Sequence, residues 1–210
     1  MKIINELNEN SADILNKIIL DGGVILWPSG GVYGLAADAY DKSAVDKIYK
    51  IKKREAVKPL SIISNISTCS NYAYLSGFAR FIIYNFWPDF IGVISKKKSI
   101  PGRVNCCGEY IALVCSSSVN VWLSDKIKIP LASSSANISG EPEITDWKKA
   151  KEMFESDVDA IIISESNNSQ LNTLVKIEKD DSYSVVRAGK YSEDYIKELK
   201  KKYELQKKSR

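Results

Sequence analysis

Apolar residues recur along the chain in two patterns, one with the spacing of a helix face and one in short continuous runs. The helical spacing predicts helices near residues 11–21, 43–52, 78–86, 119–123, 145–154 and 192–203. The short runs predict strands at residues 24–27, 60–63, 90–95, 110–115, 130–132, 160–163, 173–177 and 184–187. Because strands and helices alternate throughout, the pattern predicts an α/β fold with helices on at least one face of a sheet.

Hydroxyl residues stand at the starts of four predicted helices. We expect Ser11, Ser43, Thr145 and Ser192 to cap them, since a short polar side chain can accept a hydrogen bond from a free backbone N–H group. The 210 residues show no internal repeat, long linker or low-complexity segment. A single domain is therefore the simplest interpretation.

The composition excludes several classes of chemistry. Histidine is absent from the sequence, which excludes a Ser-His-Asp triad, a Cys-His dyad and an imidazole-ligated metal. The four cysteines lack zinc-site spacing, and we interpret them as reduced thiols of a cytoplasmic protein. The net charge of +4 permits an anionic ligand without requiring nucleic acid, because much of the positive charge lies in residues 197–210. Neither a signal peptide nor a membrane span is expected.

A basic segment at residues 50–58 leaves the end of the second predicted helix. Such a run is usually a solvated helix end, where cations also interact favourably with the helix dipole. Here Lys58-Pro59 turns directly into an apolar strand, which holds the cations beside the sheet. A guanidinium such as that of Arg54 can form two parallel hydrogen bonds with a phosphate or carboxylate, so we predict an anion-binding role for Lys52 and Arg54.

A polar run at residues 133–140 follows the predicted strand at 130–132. It is either a polar surface loop or a ligand-binding turn, since short hydroxyl side chains and exposed N–H groups suit phosphate oxygens. The apolar strand before it favours the second interpretation, because α/β proteins bind ligands at the ends of their strands. No Walker A or G-x-G-x-x-G motif is present. We therefore expect the polar run and the basic segment to form one anion-binding site, for a nucleotide.

A third segment, residues 27–39, carries Gly30 and Gly31, which allow close backbone approach, and Tyr33, which offers a hydroxyl. Together the three segments resemble the YrdC/TsaC family of L-threonylcarbamoyladenylate synthases. The main matching motifs begin at three residues: K-x-R at Lys52, K-P-L at Lys58 and S-A-N-x-S-G-x-P at Ser135.

This resemblance implies a fold, a domain organisation and an activity. The fold is YrdC-like α/β, a twisted open mixed sheet with helices packed on it and a large concave cavity, in a domain of residues 1–191. Residues 192–210 are then a C-terminal basic helix or tail, part of the same domain or frayed. The activity is condensation of L-threonine, bicarbonate and ATP, with Mg²⁺, into threonylcarbamoyl-AMP. Proteins downstream use it to modify adenosine 37 of tRNA, so tRNA or those proteins are implied partners, and no membrane is involved.

The same resemblance assigns site residues. Those implied around the nucleotide and its phosphates are Lys52, Arg54, Lys58, Ser135, Asn137, Thr145, Asn172 and Arg187. Those implied around the second substrate are Ser29, Gly31, Tyr33, Val114 and Ser133. No catalytic residue and no protein metal ligand is assigned, because positioning and neutralisation of phosphate charge can carry adenylyl transfer without a protein nucleophile.

Departures from the family pattern cluster on the threonine side. Gly30 and Gly31 replace an acidic residue and a threonine of the turn P-T-[DE]-T-V-Y-G-L. Val114 and Ser116 replace the arginine and proline of V-A-V-R-x-P. Gly92 ends the segment 88–92, which replaces the family's P-G-P-x-T element. In the family, that arginine and those threonines contact the amino acid.

Three hypotheses follow from these departures. The protein is a divergent synthase that binds threonine by other groups, for example Arg103 or residues 96–98. Alternatively, it is a paralogue that uses a different acceptor, with pocket room released by Gly30 and Gly31. In the third hypothesis it is a non-catalytic nucleotide- or RNA-binding module, which would need a broad basic surface beyond the pocket.

Overall fold

The computed structural model describes residues 1–55, 57–164 and 169–209. The strands in these residues are β1 (Lys2–Ile4), β2 (Ile25–Pro28), β3 (Tyr33–Asp38), β4 (Ser61–Ile63), β5 (Ile91–Lys96), β6 (Tyr110–Val114), β7 (Leu131–Ser135), β8 (Ala160–Ile162), β9 (Thr173–Ile177) and β10 (Tyr183–Arg187). The helices are α1 (Glu9–Leu20), α2 (Lys42–Ile51), α3 (Cys69–Tyr72), α4 (Gly77–Phe86), α5 (Ser118–Lys126), α6 (Trp147–Phe154) and α7 (Glu193–Lys208).

All the strands join one sheet in the order β1-β8-β2-β3-β7-β4-β6-β5-β9-β10. The pairs β1–β8, β2–β8, β4–β6 and β5–β9 are parallel, and the other neighbouring pairs are antiparallel. The sheet is therefore mixed, and the predicted α/β class is confirmed.

Helices cover both faces of the sheet and bury two cores. Successive residues of β2 separate them, because strand side chains alternate between faces. Leu26 belongs to the larger core, which includes apolar residues of α2, α4, α6 and α7. Ile25 and Trp27 belong to the smaller core, with Leu15 of α1 and Leu123 of α5. None of the helices in the described part of the chain has the length and hydropathy needed to cross a bilayer.

Helix caps lie close to the predicted positions, but three of the four predictions are wrong in detail. Asn8, Asp41 and Asp146 are the N-caps of α1, α2 and α6, and each side chain accepts from the backbone N–H two or three residues later. Asn and Asp cap as well as Ser, so a helix start with both types nearby is ambiguous in sequence. Ser192 caps α7 as predicted.

The strand predictions miss β1 and β3 and end β7 too early. β3 was not predicted, because its glycine and alanines lack the β-branched residues that mark a strand. β7 continues through Ser133, Ser134 and Ser135, which the polar pattern had placed in a turn. Ladder bonds to β3 and β4 hold these serines in extended backbone.

Candidate functional site

A concave cavity of about 210 Å³ opens on the sheet face that carries the smaller core. Its floor consists of small residues in neighbouring strands: Gly34 of β3 pairs with Ser135 of β7, and Ser133 of β7 pairs with Ser61 of β4. Small side chains leave space above the sheet here, while α1 and α5 fill the same face beside it. The cavity is thus produced by residue size along adjacent strands.

Eight of the predicted site residues line this cavity. They are Arg54, Ser135, Asn172 and Arg187 from the nucleotide set, and Ser29, Tyr33, Val114 and Ser133 from the substrate set. The lining does not include the other five predicted residues, which are Lys52, Lys58, Asn137, Thr145 and Gly31. Two of these five, Lys52 and Asn137, lie directly behind the lining residue Ser135 and form hydrogen bonds with it.

Lys52 is buried and held by the polar run. Its ammonium donates to the backbone oxygen of Ser135 and to the backbone and side-chain oxygens of Asn137, the last two at 2.8 and 2.9 Å. These three acceptors match the three donors of an ammonium group. The backbone oxygen of Lys52 also accepts from Ser139 N at 2.8 Å. In this arrangement Lys52 fastens residues 135–139 to the end of α2.

The charge on Lys52 is strongly perturbed. Burial, followed by the nearby positive charge of Arg54, lowers its pKa from 10.5 to about 8, and Glu143 opposes this shift. A cation that is desolvated next to another cation loses its proton more easily. Lys52 therefore adds positive charge to the wall of the cavity mainly below pH 8.

Arg54 lines the cavity with part of its guanidinium unpaired. Its two terminal nitrogens donate to Ser134 Oγ at 2.9 Å and to the backbone oxygen of Pro59 at 3.1 Å. Its Nε is buried and has no hydrogen-bond partner among the described residues. Burial is the main cause that lowers the pKa of Arg54, while Tyr49 and Cys106 oppose it. Both partners are neutral, so the positive charge of Arg54 is not balanced by a carboxylate.

A second arginine enters the cavity from β10. Arg187 follows an irregularity in the β9–β10 ladder, and its Nε donates to the backbone oxygen of Asn172 at 3.1 Å. Burial lowers its pKa, and the charge of Arg54 adds to the effect, whereas Glu143 opposes it. Glu143 is the single carboxylate among the described residues that line the cavity. Two arginines thus share a concave site with one acidic group.

The described lining residues opposite Arg54 are uncharged, apart from Arg187, which lies next to Asn172. Val114 lies there with 8% of its surface exposed. Asn172 Nδ2 lies 2.8 Å from Ser116 Oγ, and Ser29 Oγ donates to the backbone oxygen of Val32 at 2.7 Å. Ser29, Ser116 and Asn172 therefore add neutral hydrogen-bonding groups to the same lining as Val114.

The space next to Gly31 is occupied by another segment of the chain. A Cβ atom on Gly31 would lie 1.9 Å from the backbone oxygen of Gln170, and Ser169 N donates to Gly31 O at 3.1 Å. At Gly30, where φ is +95°, a Cβ atom would lie 2.9 Å from Ser117 Cβ. The expectation that these glycines release pocket room is wrong, because both are points of close packing with other segments.

The cations suggested as substitute threonine ligands lie elsewhere. Arg103 donates to Asp46 and stacks over the ring of Tyr49, and it is not part of the cavity lining. Lys97 and Lys98 donate to Asn105 Oδ1 and to the backbone oxygen of Ser70. These groups are engaged outside the cavity, so the structure does not support them as substrate ligands.

Trp27, Ser61 and Glu143 are among the lining residues that have no assigned role in the sequence predictions. Ser61 and Glu143 lie inside or beside the matching motifs and could have been found there. Trp27 lies in the third segment, but nothing in the sequence distinguishes a cavity-lining indole from one in the core. Together the lining groups are suited to a polyanionic ligand with a polar second part.

Comparisons with known proteins agree with this picture. Residues 17–189 match the family model Sua5/YciO/YrdC, described as telomere recombination. A Methanocaldococcus jannaschii protein, provisionally named a threonylcarbamoyl-AMP synthase, is 34% identical over 89% of this chain and 91% of its own length. The threonylcarbamoyl-AMP synthase of Coxiella burnetii is 30% identical over 70% of this chain and 81% of its own.

A solved structure is also similar. The crystal structure of Pyrococcus abyssi Sua5 complexed with L-threonine superimposes with a TM-score of 0.86 and 25% identity, over 95% of this chain. This chain spans only 61% of the length of that protein. The likeness confirms the predicted YrdC-like fold.

Proposed function

Because the chain belongs to the Sua5/YciO/YrdC family, we propose that it condenses L-threonine, bicarbonate and ATP into L-threonylcarbamoyl-AMP, with release of pyrophosphate. In this proposal the product serves the modification of adenosine 37 of tRNA, and the proteins that transfer the group are its partners. The observation that carries the proposal is the pair of arginines, Arg54 and Arg187, which line one cavity with a single acidic group among the described residues, Glu143, and which donate hydrogen bonds to neutral groups.

The phosphates of ATP would bind on the Arg54 side. Adenylyl transfer concentrates negative charge on the α-phosphate and on the departing pyrophosphate, and fixed positive charge lowers that barrier most in a water-poor site. Arg54 has an unused Nε–H, and the hydroxyls of Ser133 and Ser135 line the adjacent floor. Lys52 would act behind them, by holding the backbone at residues 135–137 in place.

Mg²⁺ would enter with ATP. The described residues contain no cluster of three or more Asp, Glu, Cys or His side chains that could hold a metal ion. Magnesium bound through substrate phosphates and one carboxylate fits such a site, because Mg²⁺ keeps several of its waters. Glu143 is the lining carboxylate that could contribute.

Threonine would bind on the Val114 side. Valine cannot pair with a carboxylate, so the amino acid must use other groups there. Asn172 and Ser116 offer neutral hydrogen bonds, and Arg187 donates to Asn172 O and so lies next to them. The same features support a second candidate, a paralogue with a different acceptor, since the family arginine is replaced in the part of the site that meets the acceptor.

Pyrophosphate release tests the proposal and separates the alternatives. The protein is incubated with ATP, Mg²⁺ and bicarbonate, with each of the twenty amino acids in turn. Release that depends on threonine supports the synthase. Release with another amino acid identifies a different acceptor. No release, together with measurable ATP binding, refutes the enzyme and leaves a nucleotide-binding module.

A further inference from the structure

Two lining residues carry buried side-chain donors that lack an acceptor. In the described part of the chain, the unpartnered buried atoms are Trp27 Nε1, Arg54 Nε, Ser95 Oγ, Asn120 Nδ2 and Ser124 Oγ. Of these residues, Trp27 and Arg54 line the cavity. Arg54 already belongs to the proposed phosphate site. Trp27 has no assigned role.

The indole N–H of Trp27 lies over the cavity floor. Trp27 in β2 pairs with Gly34 in β3, and Gly34 pairs in turn with Ser135 in β7. A Cβ atom built on Gly34 would lie 2.7 Å from Trp27 Nε1 and 3.0 Å from Cε2. The N–H edge of the ring therefore occupies the space above Gly34, which itself lines the cavity.

Trp87 shows how this protein satisfies an indole elsewhere. Its Nε1 donates to the backbone oxygen of Ile91 at 2.6 Å. Trp27 is equally buried, with 2% of its surface exposed, yet its N–H has no such acceptor. A buried donor without a partner destabilises the folded state. Because this atom has almost no accessible surface in the ligand-free fold, a bound ligand supplies the missing acceptor only when the residues around the indole shift on binding.

We propose that Trp27 Nε1–H donates a hydrogen bond to an anionic oxygen of the bound substrate, either a phosphate of ATP or the carboxylate of L-threonine. This proposal rests on the proposed function and adds a ligand contact that the motifs do not contain. The indole approaches the site from β2, on the side opposite Arg187, so the ligand is held from both ends of the floor.

The test compares Trp27→Phe with the wild-type protein. The variant keeps an aromatic ring and removes only the donor and part of the ring area. Affinities for ATP with Mg²⁺ and for L-threonine are measured separately by calorimetry. We expect one of the two to weaken by about tenfold or more, the scale of a hydrogen bond to a charged group. The affected ligand identifies the acceptor oxygen. Thermal stability without ligand is expected to fall, but less than on loss of the paired Trp87 indole, because both smaller rings leave a cavity and only Trp87 also loses a hydrogen bond.

Trp87→Phe is the matched control. It removes an indole N–H that is already paired, so it is expected to lower thermal stability and to leave both affinities unchanged. In a ¹⁵N spectrum of the wild-type protein, which has four tryptophans, the Trp27 indole signal should shift on saturation while the Trp87 signal stays in place.

Two outcomes would overturn the inference. If wild-type and Trp27→Phe proteins bind both ligands equally and the indole signal does not move, no substrate oxygen meets this donor. If Trp27→Phe lowers thermal stability by as much as Trp87→Phe does, the N–H has a partner within the fold. If the wild-type protein binds neither ligand, the proposed function itself fails, which is a separate result.

Discussion

The two sides of the cavity are built in different ways. On the phosphate side, defined by Arg54 and residues 133–140, the charges stay partly unpaired and a buried lysine holds the backbone. On the acceptor side, defined by Gly31 and Val114, the space next to Gly31 is filled by the backbone of Gln170 and the arginine of the family is absent. The first side keeps positive charge without a carboxylate partner, whereas the chain's own packing occupies space on the second.

Lys52→Met is expected to have the largest effect. It leaves three acceptors, in Ser135 and Asn137, without a donor inside the protein, and an unsatisfied buried acceptor costs about 1–3 kcal/mol. We expect a loss of about 3 kcal/mol in the free energy of unfolding, measured by urea titration. Lys50→Met, on the exposed face of the same helix, should change stability little. Equal stability of the two variants would contradict the holding role of Lys52.

Arg54→Ala is expected to weaken ATP binding by about 1.5–3 kcal/mol, the range for hydrogen bonds to a charged group. The reason is that the phosphates lose a guanidinium with no other anionic partner. Calorimetric titration with ATP measures the change. Arg103→Ala is the control, because that arginine pairs with Asp46 outside the cavity. An unchanged ATP affinity in Arg54→Ala would refute the phosphate side as described.

Val114→Arg tests the acceptor side. If the missing guanidinium limits threonine use, the substitution should strengthen threonine binding by about tenfold through a charge-assisted pair. Val114 is closely packed against β5, since a Cβ atom built on Gly92 would lie 3.1 Å from Val114 Cγ1. Because a larger side chain at position 114 must displace its neighbours, stability is measured in parallel. Val114→Met controls for bulk without charge. A wild-type protein that already binds threonine tightly would show that our interpretation of the departure is wrong.

The pH dependence of stability gives the smallest expected effect. Because the pKa of Lys52 is about 8 in the folded protein and 10.5 as its ordinary value, the unfolded chain binds the extra proton between these pH values. Stability from this group therefore rises with pH above 8. The stability difference between wild-type protein and Lys52→Met should grow by about 1 kcal/mol from pH 7 to pH 9, measured by urea titration. A constant or shrinking difference would contradict the low pKa.

The same two sides differ in how far the sequence predicts them. Helical spacing and short continuous runs of apolar residues predict most helices and strands, and the matching motifs bring Arg54, Ser135, Asn172 and Arg187 to one cavity. Local chemistry explains those successes, because periodicity and turn residues act over a few positions. Contacts between distant segments, such as Gln170 against Gly31, depend on the folded chain and leave no local signal.

The other incorrect predictions concern residues whose type fits two different positions in the fold. The serines of β7 are polar and still belong to a central strand, because their side chains face the cavity or Arg54 rather than an apolar core. Lys52 shares a motif with Arg54 but lies behind the cavity lining, since Lys52 is the C-cap of α2 and the chain turns at Lys53, where φ is +46°, before it reaches Arg54. Neither distinction follows from residue type alone.

A crystal structure with a non-hydrolysable ATP analogue, Mg²⁺ and L-threonine is the most direct test of this account. Phosphate oxygens are expected within hydrogen-bond distance of the Arg54 guanidinium and the floor serines, with the amino acid on the side of Val114 and Asn172. Phosphates bound away from Arg54, or an analogue bound outside the cavity, would contradict it.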